Sequence, residues 1–195
     1  HTAPIKGTRR RSPDEEQAQD ARRDLEGSAK DRAENVMIVD LMRNDLGRVC
    51  VPGSVQVTEL ARVRPHPGVW HLVSEVRGRL VPGTDDGDLL RATFPPGSVT
   101  GAPKRAALEV IAELESAARQ AFTGAIGFAS PVAGLELSVA IRTFEVRGDV
   151  VWLDVGGGIV ADSDPAEEAA EALVKARPLL EAIGAVLPEP PAPVG

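Results

Sequence analysis

A chain of 195 residues, 43% hydrophobic and 26% charged, can bury a core and is too apolar for wholesale disorder. Its 22 Lys and Arg against 29 Asp and Glu leave a net charge of −7, which argues against nucleic acid as a partner, since phosphate binding wants a basic face. No apolar run long enough to span a membrane occurs, the start lacks a signal peptide's regions, and the single Cys50 cannot form an internal disulfide; a reducing cytoplasm is the expected compartment.

In chain order, charge-dense residues 9–24 predict a loop leading into a solvated helix ended by Gly27. Ser28 with Asp31 resembles a capping box opening the next helix, Ala29 to Leu46, whose Ala33, Val36, Met37, Ile38, Val39 and Leu41 are expected to be buried before Gly47 closes it. Val-rich residues 54–63 and 69–80 predict strands separated by the breaker Arg64-Pro65-His66-Pro67-Gly68. A short helix over Asp88–Ala92 precedes a loop at Phe94-Pro95-Pro96-Gly97, and Pro103 opens a helix with a buried stripe of Ala107, Leu108, Val110, Ile111 and Leu114. Strands are expected over 122–129, 135–147 and 149–155, then a helix from Asp164-Pro165 to about Ile183. Residues 185–195 form a proline-rich tail expected to be extended and disordered. Helices flanking antiparallel-type strands give an α+β fold.

Several segments combine polar residues and glycine beside apolar elements. Pro4-Ile5-Lys6-Gly7-Thr8 offers a lysine that is either a buried nucleophilic amine or a surface residue in a turn. Gly97-Ser98-Val99-Thr100-Gly101-Ala102-Pro103-Lys104 precedes a helix and suits either an anion or a plain cap; it lacks the ending of a Walker loop. Gly156-Gly157-Gly158 follows a strand, permitting close backbone contact with a ligand or a tight bend. Asp31 with Glu34 on one helix, and Glu168, Glu171 and Lys175 at i, i+3, i+7 on another, either pattern a surface or hold a hard cation. His71 in an apolar strand is a proton shuttle or a satisfied core residue, and Arg142 in an apolar strand needs an anionic partner.

Together these blocks resemble the chorismate-utilising enzymes, a family that includes anthranilate synthase component I, aminodeoxychorismate synthase component I and the isochorismate and salicylate synthases. The resemblance is carried by PIKGT at 4–8, KDRAENVMIVDLMRNDLGRVC at 30–50, HLVS at 71–74, FPPGSVTGAPKRAALEVI at 94–111, VAIRTF at 139–144 and GGGIVADSDPAEEAAEALVKA at 156–176. It implies a four-layer fold of two packed, largely antiparallel sheets flanked by helices, with residues 1–184 as the C-terminal portion of that domain. It also implies roles for individual residues. Glu34 and Glu171, with Glu168 beside them, match Mg2+ ligands that clamp a chorismate carboxylate. Arg142, Lys175 and the backbone of Gly156, Gly157 and Gly158 match the site for the substrate's carboxylates. Gly7 and Thr8 line the ring pocket, Ser98 and Thr100 approach the substrate, and His71 lies near the reacting ring.

Lys6 discriminates within the family. Anthranilate synthases usually carry Ala at that position, whereas this chain is similar to the lysine-bearing aminodeoxychorismate synthases. The resemblance therefore implies amination of chorismate at ring carbon 4 through a covalent lysine adduct, with ammonia from a glutamine amidotransferase subunit. Anthranilate synthase and an inactive chorismate-binding remnant are the alternatives. Two departures stand out: the family's chain continues upstream of PIKGT, into a segment bearing a catalytic Glu, and Phe122 stands where relatives often have Tyr, so a phenolic hydrogen bond is lost.

Overall fold

The structure, a computed structural model, describes residues 1–161 and 163–186; residues 187–195 of the expected tail lie outside these. Two compact units follow one another along the chain, His1–Leu114 and Glu115–Gly195. No described helix is long and apolar enough to cross a membrane.

The first unit comprises β1 (Ile5–Arg10), α1 (Glu15–Gly27), α2 (Ala29–Gly47), β2 (Gln56–His66), β3 (Val69–Arg77), α3 (Asp86–Thr93), α4 (Gly97–Thr100) and α5 (Lys104–Leu114). Side-chain caps set the helix starts. Asp14 accepts from Gln17 N, Ser28 from Asp31 N, and Asp85 with Asp88 completes a capping box, each satisfying amide groups that have no partner within the helix. The sheet runs in the order β1-β3-β2, antiparallel throughout. Alternation along β3 turns Trp70, Leu72, Ser74 and Val76 to one buried face. Trp70 and Leu72 pack there with Leu25 of α1, and Val76 packs with Val39 and Leu46 of α2 and with Cys50. The Trp70 indole N–H donates to the Ala18 carbonyl at 2.9 Å, which satisfies the one polar atom of a buried aromatic.

Three local expectations are corrected in this unit. Arg9 and Arg10 belong to β1 rather than to a loop, and β2 continues through Arg64, Pro65 and His66 instead of ending before them. Pro65 is tolerated because β2 is an edge strand, where a missing N–H need not leave a ladder bond open. The helical stripes are also more exposed than expected. Met37 is 47% accessible, Ala33 is exposed, and α5 buries no residue, with Leu114 at 74%.

The second unit comprises β4 (Ala125–Ser130), β5 (Gly134–Val139), β6 (Phe144–Arg147), β7 (Val150–Leu153) and α6 (Pro165–Ala182). Its strands form two antiparallel hairpins, β4-β5 and β6-β7. The run expected as one strand over 135–147 is two, because the chain turns at Ile141–Thr143 and Arg142 adopts a positive φ of 52°. Asp164 caps α6 by accepting from Ala166 N and Glu167 N. Ile126, Phe128, Leu137, Val151 and Trp152 of the hairpins are all exposed. The α+β class with antiparallel sheets is the one the residue pattern predicted.

Candidate functional site

Lys6 and Thr8 lie two apart on β1, so a regular strand would present them to one side. The register shifts between Ile5 and Thr8, and Gly7 sits in the bulge at φ +84°. Each neighbour consequently meets a different partner. The Lys6 ammonium pairs with Glu34 of α2 at 3.8 Å, and Thr8 Oγ1 hydrogen-bonds His71 Nδ1 of β3 at 2.9 Å. Glycine is required at position 7: a Cβ there would stand 2.9 Å from Leu25 Cδ1 and 3.0 Å from Asp31 Cβ. The His66 ring lies edge-on to His71 with centroids 5.0 Å apart.

Arg9, beyond the bulge, fixes the strand to both long helices, donating to Asp24 at 2.5 Å and to Asp31 at 3.1 Å. The hydrogen bond to Asp24, with the charge of Asp31 adding to it, holds the guanidinium pKa above its ordinary value. Lys6 keeps a quarter of its side chain accessible, and its neighbour Ile5 is 46% exposed, so the amine is not the fully buried one that one reading of the segment expected.

Ser98 and Thr100 are carried by α4, where Thr100 Oγ1 donates to the Pro96 carbonyl at 3.1 Å. Gly97 lets this segment press onto α2, since a Cβ would lie 2.9 Å from Leu41 Cδ1. Lys104 secures the far side by donating to Asp45 at 2.7 Å and to the Thr93 carbonyl at 3.2 Å.

In the second unit the glycine run crosses the face of α6 that bears the acidic pair and the lysine. Lys175 Nζ donates to the Gly156 carbonyl at 3.1 Å and pairs with Glu171 at 2.8 Å. Glu168 accepts from Ser163 Oγ at 2.6 Å, and its second oxygen lies 2.7 Å from where a Gly157 Cβ would stand. A side chain at 157 would push that carboxylate aside. The Phe122 ring comes within 4.0 Å of a Cβ position on Gly156, so the residue standing in for Tyr borders the glycine run. Arg142 is exposed and lies outside any strand, so it is not the apolar-strand arginine expected from its neighbours.

Each unit thus brings part of the expected set together: Lys6 with Glu34 and Thr8 with His71 in the first, and Gly156, Gly157, Glu168, Glu171 and Lys175 in the second. The donors expected to hold Mg2+ are all carboxylates, which fit a hard cation in kind, and Glu168 and Glu171 stand one turn apart on α6. Among the described residues no three His, Cys, Asp or Glu side chains are already gathered. Sequence reasoning missed Arg9, Asn35, Asp45, Ser74 and Lys104. Lys104, Asn35, Asp45 and Ser74 all lie within segments already singled out, but nothing in the sequence alone assigned them a partner.

Comparison with known proteins adds a second line of observation. The family described as chorismate binding enzyme matches residues 1–181. Aminodeoxychorismate synthase component 1 of Klebsiella aerogenes is 51% identical over 179 residues, 92% of this chain and 40% of that protein. Anthranilate synthase component 1 of Streptomyces coelicolor is 48% identical over 182 residues, 93% of this chain and 36% of that protein. The chain therefore spans about 40% of the length of these relatives. Among solved structures, the menaquinone-specific isochorismate synthase of Escherichia coli superposes with a TM-score of 0.80 at 30% identity, covering 91% of this chain and 40% of that one.

Proposed function

Because the chain belongs to the chorismate binding enzyme family, we propose that it forms part of the active site of an aminodeoxychorismate synthase component I. The observation that carries this reading is Lys6, held beside the Gly7 bulge with its amine against Glu34. In the proposed reaction the Lys6 amine, after giving up a proton, attacks ring carbon 2 of chorismate. Both conjugated ring double bonds shift towards carbon 4, and the 4-hydroxyl takes up a proton and leaves as water. Ammonia then attacks carbon 4, both double bonds shift back, and the lysine amine departs from carbon 2. Chorismate and ammonia thus give 4-amino-4-deoxychorismate and water, with the enolpyruvyl ether retained. Covalent catalysis divides one difficult substitution between two easier ones.

The remaining residues bind and orient. His71, held by Thr8, is suited to move the proton near the leaving group. Gly156 to Gly158 with Lys175 offer backbone amides and an ammonium to the substrate's carboxylates, and Arg142, Ser98 and Thr100 are proposed to contact it. Glu34, Glu168 and Glu171 would hold Mg2+, which when bound neutralises and orients a substrate carboxylate. The partner is a glutamine amidotransferase subunit supplying ammonia, and the free buried thiol of Cys50 suits a reducing cytoplasm.

A second reading, anthranilate synthase component I, is favoured by the nearly equal identity to that enzyme, 48% against 51%. Product analysis separates the two. The protein, extended to the length of its relatives and given chorismate, Mg2+ and ammonium, is expected to form aminodeoxychorismate. Anthranilate with stoichiometric pyruvate would overturn the first reading in favour of the second.

A further inference from the structure

We propose that Asn35 and Ser74, which no role above uses, are positioning residues that hold Glu34 opposite Lys6. Both are fully buried, at 0% accessibility, and they form one directional relay. The Ala61 N–H donates to Ser74 Oγ at 2.7 Å, the Ser74 hydroxyl donates to Asn35 Oδ1, and Asn35 Nδ2 donates to the Leu72 carbonyl at 3.2 Å. Ala61 stands at φ 47°, in the stretch of β2 between Glu59 and Arg62 where the register slips. Ser74 Oγ therefore accepts an amide that the irregular ladder does not pair.

The relay has a cost that apolar packing would not carry. Each polar atom at zero exposure must keep its partner or lose its hydration uncompensated, and a Val or Leu would fill the same space without that demand. What an amide adds is a fixed height. Asn35 accepts at one end and donates at the other, so it can dock on β3 in a single register, whereas an apolar side chain can slide.

The elements so fixed are those that carry the reactive groups. Asn35 directly follows Glu34 on α2, and the carbonyl it grips belongs to Leu72, the neighbour of His71 on β3. Val73, between Leu72 and Ser74, pairs with Ile5, the neighbour of Lys6. The Lys6–Glu34 contact is long, 3.8 Å. A slip of α2 by one residue, about 1.5 Å along its axis and about 100° around it, would remove it.

The catalytic meaning of this device rests on the roles given above to Lys6 and Glu34, but its geometry can be tested without turnover. The 195-residue chain is treated with a trace of an acetylating N-hydroxysuccinimide ester, and mass spectrometry measures the labelling of Lys6 relative to Lys175. Lys175 is the internal reference because its ion pair with Glu171 lies within α6 and does not depend on the register of α2; Trp70 emission in a Trp152→Phe background checks that the first unit stays folded in each variant. Glu34→Gln sets the scale for a Lys6 without its partner, about threefold faster labelling, the size of a partly exposed ion pair. Ser74→Val and Asn35→Leu are expected to raise the ratio towards that value. Ser74→Thr, matched in volume to Val but keeping the hydroxyl, is expected to stay with the parent, and Ser74→Ala repeats the test without overfilling the core. An unchanged ratio in the Val, Leu and Ala variants, an equal rise at both lysines, or no response to Glu34→Gln would each overturn the proposal. A failure of chorismate amination leaves this result untouched, so the two readings fail separately.

Discussion

Replacing Gly7 by Ala places the smallest side chain where the bulge admits none. At φ +84° an L-residue is strained, and its Cβ would meet Leu25 Cδ1 at 2.9 Å and Asp31 Cβ and Cγ at 3.0 Å. Neither neighbour can retreat easily, because Leu25 is fully buried against Trp70 and Leu72, and Asp31 is tied to Arg9. The left-handed conformation costs about 1 kcal/mol, and overpacking a filled site adds about 2 kcal/mol. The sum, about 3 kcal/mol, corresponds to a fall of about 2 M in the urea midpoint for a domain of this size. The chain carries one tryptophan in each unit, Trp70 buried in the first and Trp152 exposed in the second. A Trp152→Phe background therefore leaves Trp70 fluorescence as the reporter for the first unit alone. A midpoint shift for Gly7→Ala below about 0.3 M would show that the bulge accommodates a side chain, and the account of how Lys6 and Thr8 reach different partners would fail.

Other perturbations follow from the same contacts. Lys104→Ala strands the Asp45 carboxylate, which is only 9% accessible, and should cost about 2 kcal/mol in urea denaturation; Asp45→Asn combined with Lys104→Met should recover more than half of that loss. Burial pushes the Cys50 thiol above its ordinary pKa, so its contribution to stability is complete below the unfolded thiol's pKa and is lost as pH rises through the folded one. Cys50→Ala should therefore flatten the decline of the urea midpoint with alkaline pH, and native Cys50 should resist iodoacetamide until the unit opens. Glu34→Gln and Glu171→Gln should each weaken Mg2+-dependent chorismate binding, measured calorimetrically in a chain of the relatives' full length, without changing circular dichroism; unchanged Mg2+ dependence in both would return these carboxylates to surface pairing.

Local chemistry made much of the fold legible. Asp14, Ser28, Asp85 and Asp164 all cap helices, and only the first and third lay outside the expected starts. Periodicity revealed which residues of α2 and α5 form apolar stripes but not whether anything in this chain covers them, which is why Met37 and Leu114 are exposed where burial was expected. The bend at Arg142 escaped notice because Val139 and Ile141 carry strand propensity and a single left-handed residue leaves no mark in composition. In the candidate site, the spacing of Glu168, Glu171 and Lys175 and the glycines at 156–158 were visible in the sequence, and the structure sets Gly156 and Gly157 against those side chains. Asn35 and Ser74 were not visible, because polar side chains in isolation imply a surface and only the three-dimensional pairing shows them buried.

Attack of the Lys6 amine on the substrate ring, as proposed, would leave a covalent adduct open to acid-quenched mass spectrometry. The protein, in a form extended to the length of its relatives, is mixed with chorismate and Mg2+ without ammonia, quenched, digested, and examined at the peptide bearing Lys6. The account predicts a mass increase equal to chorismate less water on Lys6, discharged when ammonium is added and absent from Lys6→Ala and Lys6→Arg, since guanidinium stays protonated and is a poor nucleophile. An unmodified Lys6 in a protein that turns chorismate over, with Lys6→Ala forming the same product at the same rate, would contradict it.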